Sequence, residues 1–449
     1  MSINATFLET LNKKGSKFNK IFFKIMKLFS HKPDVIQIGV GGYSSSGKTV
    51  LIDALFSIFD TNAIPQYMPK NHAGVFLDAS EYLPAYSSHS VLRAQVSNYF
   101  HEDHATTDEG KWNENTHCAK LHFSGKKKII LIRNIPGEMF SVYCQQIGNE
   151  HKSLKTRFQE FLSENKSYKK AIKKLFKFQI PSNNLEQKKI IENELNKIRE
   201  AFFQFINLTS YTPADAIPKI EKNFFAFLFY FTADLNVYCI KSKDLTDDEI
   251  KVANDNINNS FSSESDINNF VVCYTQFDRI LSEKKLPDIT TPAPSVENEK
   301  PTLKEKLREL FGAKKRTHSL SNGTTNEITN YWHTMNKFYE DVEKSEYQII
   351  TQTDWDSIKS ITGNGRYNWF YTSVAYNFKK KKFLDFQNQT ASTSDKWELS
   401  NNNDRTPIGV LEVLLYILRR NGFKENNWKL ALSKQDDRFA TIRRKIGIE

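Results

Sequence analysis

The eight residues Gly42-Tyr43-Ser44-Ser45-Ser46-Gly47-Lys48-Thr49 constrain this chain more than any other feature. They fit G-x-x-x-x-G-K-[ST] at every fixed position. The flanks agree: the apolar run Val35–Val40 precedes them, and Thr49–Phe59 comes next with Leu51, Leu55, Phe56 and Phe59 at helical spacing. A strand, a glycine turn and a helix start, in that order, make a cradle for phosphate. Glycine lets the backbone curl so that successive N–H groups face phosphate oxygens. The helix N-terminus adds its positive dipole end. In such a loop residues Gly42 to Gly47 supply backbone, Lys48 reaches the outer phosphates, and the Thr49 hydroxyl is a ligand for Mg2+.

The rest of the chain reads as alternating strands and helices. Leu121–Phe123 and Lys128–Ile132 pattern as strands joined by the turn Ser124-Gly125, and Asp234–Ile240, Phe270–Tyr274 and Trp369–Thr372 as three more. Thr406-Pro407 is expected to open a last helix through Leu418, with Thr as N-cap and Pro in the first turn. The pattern predicts an α/β fold with a mainly parallel sheet covered by helices on both faces. Residues 1–33 form a basic prelude and residues 34–449 one domain carrying two insertions. The first, 150–222, is Lys/Glu-rich and helical in pattern. The second, 282–327, is flexible by composition, with Pro287, Pro292, Pro294 and Pro301 among Ser, Thr, Asn and Lys. With 39% hydrophobic residues the chain has enough apolar material for a sizeable core, which excludes a wholly disordered protein.

Three segments downstream of the cradle narrow the class. Behind the strand Ile129–Ile132 comes Asn134-Ile135-Pro136-Gly137-Glu138, which resembles the D-x-x-G box of Ras-like GTPases. A plain strand-ending Pro-Gly turn is the competing reading. The resemblance implies that Gly137 meets the γ-phosphate, that Asn134 supports Mg2+ through water, and that Glu138 orients the attacking water. Asn134 stands where the family has Asp, and the missing charge weakens the hold on metal. Thr275-Gln276-Phe277-Asp278 resembles the [NT]-K-x-D box, in which the Asp carboxylate accepts from guanine; Gln276 replaces the Lys that packs along the base. Thr372-Ser373-Val374-Ala375 is similar to a loose S-A-K box, so Ser373, Val374 and Ala375 join the base-binding set. Thr116 is the choice for the switch threonine that closes over Mg2+, with Thr106 and Thr107 next.

The ordered set implies a Ras-like P-loop core that binds GTP or GDP with Mg2+. Lys48, Glu138 and Thr116 would be its catalytic residues, and Thr49, Thr116 and Asn134 its metal ligands. The Pro-Gly-Glu ending and Thr406-Pro407-Ile408-Gly409-Val410 are similar to bacterial GTPase-like proteins of the double-GTPase and conflict-system type, which implies a nucleotide-dependent switch or sensor in antiviral defence. Three functions stay open: slow GTP hydrolysis, a pseudo-GTPase that holds nucleotide without turnover, and a P-loop ATPase or kinase. The last ranks third because Arg is sparse between Thr49 and Asp278.

The net charge of +11 comes from Lys spread along the whole chain, so nucleic acid is not an expected partner. His101-Glu102-Asp103-His104 has poor spacing for zinc and reads as a solvated loop. Cys118, Cys144, Cys239 and Cys273 form no Cys-x-x-Cys pair and read as free thiols in a reducing compartment. No secretory signal or bilayer-spanning stretch is expected, which predicts a cytoplasmic protein. Residues 17–29 place Phe18, Ile21, Phe22, Ile25 and Phe29 along one helical face and Lys17, Lys20, Lys24 and Lys27 on the other. Such a helix docks on the protein's own core, on a protein partner of unknown kind, or peripherally on an anionic membrane.

Overall fold

The computed structural model describes residues 34–57, 76–78, 116–123, 126–143, 145–147, 150, 152–177, 185–206, 214–243, 245–258, 269–279, 334–340, 368–377, 382–383, 405–421 and 440–446. Residues 17–29, residues 282–327, Thr106, Thr107, Cys144 and the 101–104 histidine cluster lie outside them.

The apolar runs become a seven-stranded sheet. In chain order its strands are β1 (Asp34–Gly42), β2 (Phe76–Asp78), β3 (Thr116–Phe123), β4 (Lys126–Asn134), β7 (Leu235–Lys241), β8 (Phe270–Thr275) and β9 (Asn368–Tyr371). A two-stranded ribbon, β5 (Gln146–Ile147) and β6 (Lys152–Ser153), lies apart from it. The spatial order is β2-β3-β4-β1-β7-β8-β9. Strands β4, β1, β7, β8 and β9 run parallel, while β3 is antiparallel to both β2 and β4. The expected mainly parallel α/β sheet is therefore present. Its central strands are buried on both faces, which is why Ile129–Ile132, Val237–Ile240 and Phe270–Tyr274 read as unbroken apolar runs rather than as alternation.

Helices cover both sides. Helix α1 (Lys48–Ser57) packs on β1 and β4. The other face carries α2 (Gly137–Tyr143) and α6 (Ala216–Thr232), which pack on each other and on β1. Phe140 of α2 meets Tyr230 and Tyr238 edge-on, with ring centroids 5.6 and 5.4 Å away. The helical insertion consists of α3 (Leu154–Glu164), α4 (Lys166–Phe176) and α5 (Leu185–Ile206), and its helical pattern runs on into α6, ten residues past the expected boundary at 222. The Phe224–Phe231 run lies on this helix. Phe158 of α3 stacks on Phe231 at 4.7 Å and meets Phe202 of α5 at 4.3 Å, which locks the insertion onto α6. Each fully buried Phe contributes about 2–3 kcal/mol of transfer free energy. Helix α7 (Asp247–Asn258) links β7 to β8, and α8 (334–340) precedes β9.

The C-terminal part adds a second sheet and corrects one expectation. Ser373–Ala375 opens β10 (Ser373–Asn377), which pairs antiparallel with β11 (Lys382–Phe383) and β12 (Arg405–Ile408) in a three-stranded sheet. Thr406-Pro407 is not a helix start, because Thr406 pairs with Tyr376. β12 is an edge strand, where a Pro without an N–H costs no ladder bond. The turn into α9 (Val410–Arg420) is made one step later by Gly409, at φ +74°. Helix α9 packs on α1 and on α10 (Ala440–Ile446). Among the described residues no helix is long and apolar enough to cross a membrane.

Candidate functional site

Strand order decides where a ligand fits. From β1 the chain builds β3 and β4 on one side of the sheet, then crosses to build β7, β8 and β9 on the other. In open α/β sheets the crevice at the C-terminal strand ends, where the order reverses, is the binding position. Gly42 ends β1, Asn134 ends β4, Thr275 ends β8 and Tyr371 ends β9. Four of the segments singled out in the sequence thus leave the sheet along one rim.

The 42–49 segment is a tight curl between β1 and α1. Gly42 has φ +139°, Ser45 +60° and Gly47 +75°. At Gly42 a side chain is impossible: a Cβ would stand 2.2 Å from the Cys239 carbonyl oxygen. Ser46 N–H donates to Tyr43 O at 3.3 Å, and Leu51 N–H to Gly47 O at 2.9 Å starts the helix. Tyr43 is half-buried, Ser44 and Ser45 are exposed, and Ser46 is buried.

Lys48 is the electrostatic centre. It is 5% exposed, and its Nζ donates to the carbonyls of Gly42 (3.1 Å) and Tyr43 (2.7 Å). Among the described residues no carboxylate lies within ion-pair distance of it. Burial pulls the ammonium from its ordinary 10.5 to about 8, against the pull of Cys239 and then of Glu138, both of which raise it. A buried cation held only by neutral carbonyls is an incomplete ion pair, and an anion in the cradle would complete it. Beneath it the Cys239 thiol is pushed up to about 12 by burial, and Lys48 lowers it slightly. Cys118, Cys239 and Cys273 are all buried and free.

The 134–138 segment closes one side of the loop. Gly137 lies so near Ser44 that a Cβ would stand 2.5 Å from Ser44 N and 2.8 Å from Ser44 Cα. Ile135 N–H donates to Val40 O at 2.9 Å, which ties the segment to β1. Asn134 is buried, and its Nδ2 donates to the Thr49 hydroxyl oxygen at 2.8 Å. Glu138 stands exposed in the first turn of α2, with Lys48 in its field. Thr116 is not brought to this corner. It is the first residue of β3, pairs with Arg133, and its hydroxyl accepts from Arg133 Nη1 at 2.9 Å. Neighbours on a strand face opposite ways, so Thr116 and Arg133 lie on the other face of the sheet from Asn134 and Thr49.

The 275–278 segment closes the other side. Thr275 Oγ1 lies 2.7 Å from Ser46 O, donating to it from beneath the loop. Gln276, at φ +56°, donates from Nε2 to Ser45 O at 3.0 Å. Gln276 thereby ties down the exposed tip of the loop. Asp278 is buried in a short 3₁₀ turn, and Ser373 Oγ donates to its Oδ1 at 2.5 Å. Thr372 N–H to Tyr274 O at 2.8 Å and Phe277 N–H to Thr372 O at 3.3 Å fasten the two segments. Val374 is half-buried in β10, and Ala375 comes next in the same strand. Arg133 and the Gln276–Ser45 tie went unread in the sequence, since neither motif spacing nor periodicity signals them.

The arrangement offers a curled run of backbone amides, a buried ammonium and, beyond the Thr275 wall, a fixed carboxylate. That set fits a ligand with an anionic end and a hydrogen-bond-donating end. Comparisons with protein-family models, with curated proteins and with solved structures found no match.

Proposed function

We propose that this chain binds a guanine nucleotide on a Ras-like P-loop core and works as a nucleotide-dependent switch or sensor. The observation that carries the reading is the buried Lys48 ammonium without a carboxylate partner among the described residues, at the rim where the 42–49, 134–138 and 275–278 segments meet. Phosphates of GTP or GDP would complete its ion pair and accept from the loop N–H groups. Gly137, packed on Ser44, would stand beside the outermost phosphate. Asp278, held by Ser373, would accept from the ring N–H and exocyclic amine of guanine, a pattern that adenine does not offer. Glu138, exposed beside this corner, would position water for slow hydrolysis.

A second reading, in which nucleotide is held without turnover, is favoured by the Arg133–Thr116 bond, which commits the expected switch threonine to another face. The test of the first is base selectivity. The wild type should bind GTP at least tenfold more tightly than ATP. Asp278→Asn should weaken GTP by about 2–4 kcal/mol and improve xanthosine triphosphate, because a buried polar edge loses its partner. Equal affinity of the wild type for ATP and GTP would remove guanine from the reading.

A further inference from the structure

The corner expected to hold Mg2+ carries no formal negative charge from Asn134 or Thr49. A divalent cation of this kind takes oxygen ligands in near-octahedral geometry, and in phosphate-loop sites the loop hydroxyl and an acidic side chain face it. Here position 134, where the resemblance expects that acid, is Asn. Asn134 occupies its place and turns its amide N–H toward Thr49 Oγ1 at 2.8 Å. That bond fills one lone pair of the hydroxyl with an N–H donor, and what Asn134 has left for a cation is a neutral amide oxygen in place of a carboxylate. The other expected hydroxyl, on Thr116, also accepts from a nitrogen, the Arg133 guanidinium at 2.9 Å, on the opposite face of the sheet. Of the three metal ligands expected from the sequence, two hydroxyls meet N–H groups and the third is a neutral amide. The residues present do not fit a tightly held divalent cation.

The remaining charge logic points the other way. Lys48 sits under the loop with its Nζ bonded to the Gly42 and Tyr43 carbonyls and, among the described residues, no carboxylate within ion-pair distance; Gly137 is packed against Ser44, and Thr275 and Gln276 hold the loop through Ser46 O and Ser45 O. The cradle is therefore shaped and electropositive without a metal ion. We infer that this chain binds the phosphates of its nucleotide without a divalent cation, using Lys48 and the loop amides alone, and that Asn134 is the residue that sets this independence. The inference rests on the nucleotide reading above and names how the same site is regulated: not by Mg2+.

Thermodynamic coupling gives the test. If Mg2+ and nucleotide support each other, each raises the affinity of the other by the same factor, commonly 5- to 150-fold. The full chain is titrated with a fluorescent N-methylanthraniloyl GTP analogue in excess Mg2+ and again in excess EDTA. The wild type should show dissociation constants within about threefold of each other, a coupling close to one. Asn134→Asp should behave differently. Its carboxylate repels the phosphates when no cation intervenes, and it supplies the missing ligand when Mg2+ is present. Its affinity should therefore fall at least about tenfold on going from Mg2+ to EDTA. Circular dichroism of Asn134→Asp confirms that the fold survives, and the two wild-type titrations decide the matter without it. Wild-type binding that is tight in Mg2+ and lost in EDTA overturns the inference while leaving the nucleotide reading intact. Binding in neither buffer overturns the nucleotide reading itself, and the inference with it.

Discussion

Replacing Lys48 by Met keeps the length of the stem and removes the ammonium, so it isolates the energetics of the buried charge. In the folded protein Lys48 titrates at about 8, against 10.5 in an ordinary lysine, because burial disfavours its charged form. Between these two values the unfolded chain holds a proton that the folded chain has released. More protons on the unfolded state means that stability rises with pH. Integrating between pH 7 and pH 10 gives a gain on the order of 2–3 kcal/mol for the nucleotide-free wild type. The Met variant lacks that gain. Other groups titrate in both proteins and cancel in the difference, and the neighbouring Cys239, pushed up to about 12, stays protonated throughout. The assay is urea unfolding at constant ionic strength, monitored by far-UV circular dichroism at a series of pH values. The wild-type stability minus that of Lys48→Met should climb with pH. With saturating nucleotide the climb should vanish, since a bound phosphate restores the preference for the ammonium. A flat difference between pH 7 and pH 10 without nucleotide would refute the burial of this charge, and with it the incomplete ion pair on which the anion site rests.

Two further substitutions separate the walls of the site from its chemistry. Gly137→Ala puts a methyl group 2.5 Å from Ser44 N, where only backbone can yield. It should cost about 1–3 kcal/mol in urea unfolding and release bound nucleotide; unchanged affinity would mean that the 134–138 segment does not press on the loop. Glu138→Ala, at an exposed position, should leave stability within about 0.5 kcal/mol. Nucleotide affinity should also stay the same, while GTP turnover, measured as phosphate release in single-turnover conditions, slows by roughly 10²-fold. Equal rates would remove Glu138 from any role in positioning water.

Sequence patterns disclosed the features that depend only on near neighbours along the chain. The strand–turn–helix around Gly42–Thr49 is a local pattern, and so are the apolar runs that became β4, β7, β8 and β9. The segments at their ends come together because parallel strands put every C-terminal end on one rim. Contacts between distant segments had no such signature. Gln276 reaches Ser45 across 231 residues, and Ser373 reaches Asp278 across 95. Thr116 shows how register defeats a motif. It stands at the expected junction before β4, but pairing with Arg133 rather than with Asn134 turns it to the opposite face. Pro407 misled for a different reason. Pro is at home both in a first helical turn and on an edge strand, and only the pairing of Thr406 with Tyr376 separates the two.

Asn134 and Gln276, the two departures from the boxes that these segments resemble, belong together when charge is counted. Asn134 stands where the resemblance expects a carboxylate, which removes one negative charge beside the phosphate position. Gln276 stands where it expects a lysine, which removes one positive charge on the far side of the loop. Gln276 still ties the loop, through Nε2 to Ser45 O, and Asn134 still reaches Thr49. Both links survive as hydrogen bonds between neutral groups, and the sum of the formal charges around the cradle is unchanged. A phosphate therefore meets much the same long-range field as in the charged pattern. A cation at the Thr49 corner meets a different one, because its attraction depends on a carboxylate a few ångströms away, and Coulomb energy at that range is steep. On the proposed reading, a neutral pair in place of an acid and a base would leave anion binding nearly untouched while removing the local reason for a divalent ion. Asn134→Asp alone would unbalance that sum by one negative charge, which is why the single variant is expected to need Mg2+ where the wild type is not.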